Sequence, residues 1–191
     1  MSDRLEALLR EVLIELGEDP DREGLLRTPA RAAAALRDFT RGYRQDVETL
    51  LNRAVFTEEY DDMVIVRNIE LYSLCEHHLV PFYGVAHVGY IPQGKIIGLS
   101  KIARLVEMFS RRLQVQERLT HEIAHALFGA ISPRGVAVVV EAKHLCMMAR
   151  GVEKQHSSMV TSSVLGSFRT DRATRDEFMA LVRGRGANGS G

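Results

Sequence analysis

The sequence has little of what marks a secreted or nucleic-acid-binding chain. Its 191 residues include only two cysteines, Cys75 and Cys146, and 25 basic residues balance 25 acidic ones, for a formal net charge of zero. Domains that bind nucleic acids normally carry a basic excess that engages phosphates, so this balance argues against that class. The two cysteines could form one disulfide, but in a chain with cytosolic character cysteines more often serve a metal site or catalysis.

Long apolar runs are missing too. No stretch reaches the roughly 18 residues needed to span a bilayer, and the start, MSDRLEALLREVLIEL, lacks the basic-then-apolar order of a signal peptide. We therefore expect a cytoplasmic protein without a membrane segment. With 46% hydrophobic and 26% charged residues, the composition is typical of a globular protein with one core and an appended segment.

Helical periodicity marks the N-terminal part of the chain. Between Arg4 and Leu16 apolar residues recur at spacings of three and four, and Gly17 is typical of a helix end. A second helix is predicted over TPARAAAALRDF, where Thr28 is the expected N-cap and Pro29 fits the first helical position. We interpret residues 1–58 as a helical extension.

After Tyr60 the pattern changes to the alternation of β-strands. Three strand-like pieces, the last being KIIGLS, predict an antiparallel hairpin system. Helical spacing returns from Lys101 to Leu113 and in a second helix closed by Gly129 and Pro133. The runs GVAVVVEAKHLCMMARG and SSMVTSSVLGSF predict two more strands.

This order of elements predicts an α+β domain over residues 59–184, a ββααββ unit in which two helices lie on one face of an antiparallel sheet. Such a sheet leaves two edges of unpaired backbone groups, and the last strand has no evident charged or proline-rich blocker. We therefore expect a homo-oligomer in which sheets pair edge to edge. The Gly-rich end, residues 185–191, is expected to be disordered.

The stretch LCEHHLVPFYG, residues 74–84, suggests a metal site. Zinc prefers thiolate and imidazole ligands, and catalytic zinc sites use three protein ligands and leave one position to water. Cys75, His78 and Cys146 meet that count, and strand alternation would put His144 on the same face as Cys146. His77 should point elsewhere, toward a substrate, and two such histidines suit proton transfer at neutral pH. The competing interpretation is buried core cysteines and surface histidines.

A second motif competes for the metal. HEIAH, residues 121–125, matches the zinc peptidase signature, with Glu122 as the base. A helical wheel puts both histidines nearly opposite the apolar side, however, which favours an exposed helix face.

Basic residues gather where the first of the two central helices begins. Ser100, Lys101 and Arg104 lie in its first turns, where free backbone amides favour anions. A phosphate site and an ordinary solvated helix face both fit this pattern.

Four long segments resemble one family in the family's order. EHHLVPFYGVAHVGYIP, GLSKIARLVEMFSRRLQVQERLT, HLCMMARGV and SSMVTSSVLGSF are similar to GTP cyclohydrolase I, the zinc enzymes at the entry to folate and pteridine synthesis. The resemblance implies the tunnelling fold, assembled as a homodecamer of two stacked pentamers with active sites between subunits. It also implies hydrolytic opening of the guanine ring of GTP, which releases formate and gives 7,8-dihydroneopterin triphosphate.

The resemblance also implies roles for individual residues. It assigns the zinc ligands to Cys75, His78 and Cys146, the acid/base histidines to His77 and His144, guanine binding to Glu117 with Gln116 beside it, and triphosphate contacts to Ser100, Lys101, Arg104 and Arg150. Two alternatives are a zinc peptidase that uses HEIAH and a non-catalytic pteridine- or nucleotide-binding module of the same fold.

Overall fold

The computed structural model describes residues 3–51 and 54–183. The helical segments are α1 (Arg4–Glu15), α2 (Thr28–Phe39), a 3-10 turn (Arg41–Arg44), α3 (Val47–Leu51), α4 (Leu99–Ser110), α5 (Gln116–Ile131), α6 (Leu145–Met148), α7 (Ser167–Thr170) and α8 (Arg172–Arg183). The strands are β1 (Val55–Thr57), β2 (Val64–Cys75), β3 (Pro81–Ile91), β4 (Lys95–Ile97), β5 (Leu113–Gln114), β6 (Gly135–His144) and β7 (Met159–Gly166). The expectation of a disordered tail at residues 185–191 lies outside the described residues.

Backbone contacts divide the chain into one unit of Met1–Arg41 and a second of Gly42–Gly191. The first unit contains α1 and α2, as the periodicity predicts. The helix α3 and the strand β1, which lie within the extension expected over residues 1–58, belong to the second unit.

The start of α2 corrects one prediction. Thr28 is not the N-cap but the first helical residue, and the capping position falls on Arg27, which makes no side-chain capping bond. A turn before the helix already engages the backbone amide of Thr28, which donates to the carbonyl of Leu25 at 2.9 Å. Pro29 still falls in the first turn, where its missing N–H costs nothing.

The second unit is built on a five-stranded sheet in the order β5-β2-β3-β6-β7. All neighbours are antiparallel except β5, which runs parallel to β2. The pairing brings Phe82 of β3 opposite His144 of β6 at one end of the sheet and Tyr90 opposite Val136 near the other. The predicted metal ligands lie at the end with Phe82, and α4 begins near the end with Tyr90.

Two predicted elements differ in the structure. The strand predicted in KIIGLS does not join the main sheet but pairs with β1 in a separate two-stranded sheet. The helix predicted from Lys101 to Leu113 runs from Leu99 to Ser110, and Leu113 begins β5. The second helix passes through Gly129 and continues to Ile131, ending where Ser132 adopts a left-handed backbone with φ of 47°.

The mixed α and β composition is confirmed, but helices cover both faces of the sheet. Alternate residues of β6 divide between two cores: Val136, Val138 and Val140 pack into the larger cluster with α4 and α5. Ala137 and Val139 pack with the smaller cluster that includes Phe178 of α8. The expectation of helices on one face was wrong because it overlooked α8, whose Phe178 and Val182 are buried. Burial of Phe178 alone stabilises this second layer by about 2–3 kcal/mol.

None of the helices formed by the described residues combines the length and apolar character that crossing a membrane requires.

Candidate metal centre

Two of the three predicted metal ligands come from one tight turn. Cys75 is the last residue of β2, and the amides of His78 and Leu79 donate to its carbonyl at 3.3 and 2.8 Å. Leu79 has a left-handed backbone with φ of 53°, a conformation that non-glycine residues rarely adopt. This closure turns the chain back into β3 and directs His78 toward Cys75.

The third ligand, Cys146, reaches the turn from β6. The sheet order sets β6 two strands away from β2, with β3 between them. The prediction that Cys146 lies on a strand was wrong: β6 ends at His144, and residues Leu145–Met148 form the helical turn α6. The alternation argument that linked His144 to Cys146 therefore fails, although the two residues remain close in the chain.

The donor atoms of Cys75, His78 and Cys146 all lie within 4.8 Å of one another. Cys75 Sγ is 3.7 Å from His78 Nδ1, close to the roughly 3.6 Å expected for a thiolate and an imidazole bound tetrahedrally to one zinc ion. Among residues 3–51 and 54–183 no fourth histidine, cysteine or carboxylate joins the group. Both cysteines are free thiols, so this donor set fits zinc with one open position.

Burial affects the protonation of one of the three ligands, Cys146. It raises the pKa of the Cys146 thiol, and the neighbouring Cys75 thiol raises that pKa further. Metal ligation needs thiolates, so an incoming ion must displace protons, and its affinity will depend on pH.

His144 lies beside the metal ligands in a fixed orientation. Its ring stacks on Phe82, with centroids 4.6 Å apart and planes inclined by 9°. Its Nε2 is 2.8 Å from Oε1 of the buried Gln116. Burial lowers the pKa of His144, while the charge of Glu117 raises it less strongly. Sequence reasoning did not identify Phe82 as part of this site, since an apolar residue in a strand carries no functional signal.

The other predicted residues at this end are exposed. His77 does not belong to the metal group; its ring centroid is 6.1 Å from that of His78. Glu117 lies exposed in the first turn of α5. Arg150, also exposed, is close enough to Cys146 for its charge to lower the pKa of that thiol.

A salt bridge that the sequence did not suggest holds the metal turn against α5. Arg118 pairs with the carboxylate of Glu76, the residue between Cys75 and His77. The Arg118 Nε also donates to Gln114 Oε1 at 3.0 Å. The turn is therefore supported by α5 as well as by the sheet.

Ser100 and Lys101 lie at the opposite end of the sheet. The helix α4 starts just after Ile97, whose amide donates to the hydroxyl of Tyr90 at 3.2 Å. Tyr90 and the Phe82 beside His144 are eight residues apart on β3, about 26 Å at ~3.3 Å per residue. Within one chain, most of the length of β3 therefore lies between the start of α4 and the metal end of the sheet.

Arg104 is one turn further along α4. It lines a cavity of about 560 Å³ between α4 and β2, together with Arg67 and Glu107. Its side chain is exposed. The three α4 residues predicted to contact phosphates and Arg150, which is on the metal side, thus come from different elements.

The competing HEIAH motif lies on the exposed face of α5. His121 and His125 are solvent-exposed while Leu119, Ile123 and Leu127 are fully buried, as the helical wheel predicts. Their rings stack at 3.7 Å, but among the described residues no third metal ligand accompanies them. Glu122 accepts a hydrogen bond from Gln114. The structure gives no support to a peptidase site.

Comparisons with known proteins agree over nearly the whole chain. Residues 5–183 match the family described as GTP cyclohydrolase I. The chain is 61% identical to the GTP cyclohydrolase 1 of Alkalilimnicola ehrlichii, covering 96% of this chain and 99% of that protein. It is 63% identical to that of Methylococcus capsulatus, covering 93% and 96%. It is 59% identical to that of Chlorobaculum tepidum, covering 95% and 80%.

Proposed function

The chain belongs to the GTP cyclohydrolase I family, and from that premise we propose that it opens the guanine ring of GTP by hydrolysis, at a site centred on Cys75, His78 and Cys146. The reaction releases C8 as formate and gives 7,8-dihydroneopterin triphosphate, the first step of pteridine and tetrahydrofolate synthesis. The observation that carries the proposal is the convergence of two thiols and one imidazole within 4.8 Å.

Zinc is the cofactor that this donor set fits. When bound by the three residues, zinc supplies an activated water molecule at neutral pH. Two thiolates and an imidazole favour zinc, because Mg²⁺ and Ca²⁺ prefer oxygen ligands.

The protein's own groups bind the substrate and move protons. His144 and His77 are the candidates to transfer protons at the purine N7 and the ribose oxygen as bonds break. Glu117 can accept hydrogen bonds from the guanine ring N–H and exocyclic amine, with Gln116 beside it, and Arg150 can pair with the triphosphate. Holding GTP at both ends fixes C8 over the metal centre and lowers the entropic barrier.

We propose that each active site is shared between subunits. Ser100 and Lys101, together with Arg104, would contact the triphosphate from a neighbouring copy, because within one chain α4 starts near Tyr90, eight residues along β3 from the Phe82 beside His144. The outer strands β5 and β7 offer free sheet edges for assembly. This arrangement supports a homo-oligomer, and the homodecamer of two stacked pentamers is what the resemblance to the family implies.

We also propose a fold family, domain bounds and a cellular location for the chain. The element order of the second unit supports a tunnelling fold, with residues 59–184 as the catalytic domain and the preceding residues as its extension. A cytoplasmic location is supported by the two free thiols.

The direct test is incubation of the purified protein with GTP. Formate should appear together with a pterin that fluoresces after oxidation, and Cys146→Ala should lose both signals along with its zinc. His121→Ala is the matched control, since it removes a potential metal ligand outside the centre. GTP binding without formate release would instead select the non-catalytic module, and undiminished turnover by zinc-free Cys146→Ala would refute the proposed centre.

A further inference from the structure

The carboxamide of Gln116 is fixed inside the protein. Gln116 is 1% exposed, and its Nε2 lies 3.0 Å from the carbonyls of Val140 and Met159 and 3.1 Å from Thr161 Oγ1. Carbonyl oxygens only accept hydrogen bonds, so the atom facing them must be the amide nitrogen. The orientation of the amide follows: nitrogen toward β6 and β7, oxygen away from them.

The hydroxyl groups beside the amide agree with this orientation. Thr120 Oγ1 donates to the Gln116 backbone carbonyl at 2.7 Å. Its only hydrogen is thereby used, so in the 2.6 Å contact between the two threonines Thr161 is the donor and Thr120 the acceptor. Thr161 Oγ1 then keeps a lone pair for the Gln116 amide, and every hydrogen in the network has an acceptor.

The same orientation determines the tautomer of His144. Gln116 Oε1 is 2.8 Å from His144 Nε2, and an amide oxygen only accepts. Nε2 must therefore carry a hydrogen. The stacking contact with Phe82 fixes the plane of the ring, so Nδ1 is the nitrogen left for exchange with another group.

We propose that Gln116 is a positioning residue, which holds His144 in the Nε2–H tautomer and so makes Nδ1 its reactive nitrogen. This inference rests on the proposed function for its catalytic consequence, but the hydrogen on Nε2 follows from the network alone. It assigns the Gln116 side chain to His144 rather than to the guanine ring. Both hydrogens of the carboxamide are already bound within the protein, so none remains for a substrate.

The experiment compares two variants of Gln116 with one control. Gln116→Met keeps the length of the side chain and removes its hydrogen bonds, whereas Gln116→Asn keeps an amide that is one methylene too short to serve both sides. Thr161→Val is the control. It removes one of three acceptors for the Gln116 amide nitrogen and keeps the hydrogen bond between Gln116 Oε1 and His144. We expect kcat to fall about 10- to 100-fold in both Gln116 variants, with KM for GTP and zinc content unchanged, and about threefold or less in Thr161→Val.

A double-mutant cycle tests whether Gln116 acts through His144. In a His144→Ala background Gln116→Met should cause little further loss of kcat, because the residue that it positions is gone. Independent, multiplying losses would overturn the proposal, as would a raised KM with unchanged kcat, since either result indicates direct contact with the substrate.

A spectroscopic readout separates this inference from the proposed function. In protein labelled with ¹⁵N-histidine, the His144 signals, assigned by their absence in His144→Ala, should show hydrogen on Nε2 in the wild type and in Thr161→Val. They should show a mixture of tautomers in Gln116→Met. Hydrogen on Nδ1 in the wild type would refute the inference even if the enzyme is active, whereas an inactive wild type with Nε2–H would refute only the proposed function.

Discussion

Mixing two variants with different defects tests whether one active site uses residues from two copies of the chain. Cys146→Ala removes a metal ligand, and Lys101→Ala removes a cation in the first turn of α4, at the other end of the sheet. Co-expressed at equal levels, every subunit carries one defect. If each site needs Cys146 from one subunit and Lys101 from another, random assembly gives an intact pair at about one site in four.

The expected recovery is large enough to measure. Losing a charge-assisted hydrogen bond to phosphate costs about 1.5–3 kcal/mol, so Lys101→Ala alone should retain about 1–10% of wild-type kcat/KM. The mixture should reach about 25% of the wild-type rate of formate release.

The matched control is a mixture of Cys146→Ala with Cys75→Ala. Both changes affect the same group of ligands, so no arrangement of subunits restores it, and activity should stay at background. Mass spectrometry of the intact assembly confirms mixing. Mixed assemblies of Cys146→Ala and Lys101→Ala that show no recovery would refute the shared site.

Three further predictions concern residues outside the metal group. His121→Ala should leave zinc content and formate release within about twofold of the wild type, because its side chain is exposed on α5. A loss of activity would instead support a catalytic role for the HEIAH motif. Burial lowers the pKa of His87, so the unfolded chain binds a proton there more readily, and the free energy of unfolding should fall as pH drops below about 6.5. His87→Gln should flatten that part of the pH profile in urea unfolding, and an unchanged slope would contradict the assignment. Gly84→Ala should destabilise the fold by more than about 2 kcal/mol, because its Cβ would come within 1.9 Å of a β6 carbonyl oxygen. Gly129→Ala, whose Cβ meets nothing within 4 Å, should stabilise α5 by about 0.5–1 kcal/mol. If Gly84→Ala and Gly129→Ala changed the melting temperature equally, this reasoning would be refuted.

The metal group could be predicted from sequence because ligand chemistry limits the choices. With two cysteines in the chain, any thiolate site must use Cys75 or Cys146, and the spacing of His78 from Cys75 suits a single turn. The path of the chain at Cys146 could not be predicted in the same way. The apolar run through residues 135–148 fits a strand throughout, and only the three-dimensional structure shows that the strand gives way to a helical turn after His144.

Other features depend on partners that are distant in sequence. The strand β5 has only two residues and forms because it pairs with the end of β2. A segment this short has no sequence pattern from which a strand could be predicted. The role of Gln116 depends on carbonyls of β6 and β7, 24 and 43 residues away. The helix α8 is different, because its apolar spacing was present in the sequence and could have predicted the second layer.

The turn after β2 and the turn after β6 lie on either side of β3, yet Cys75 and Cys146 are 71 positions apart in the chain. An ion bound there is a reversible cross-link, and it closes a loop long enough to restrict the unfolded chain considerably. Chelation should therefore lower the melting temperature as well as stop turnover. Chemistry and architecture in this molecule depend on the same bonds.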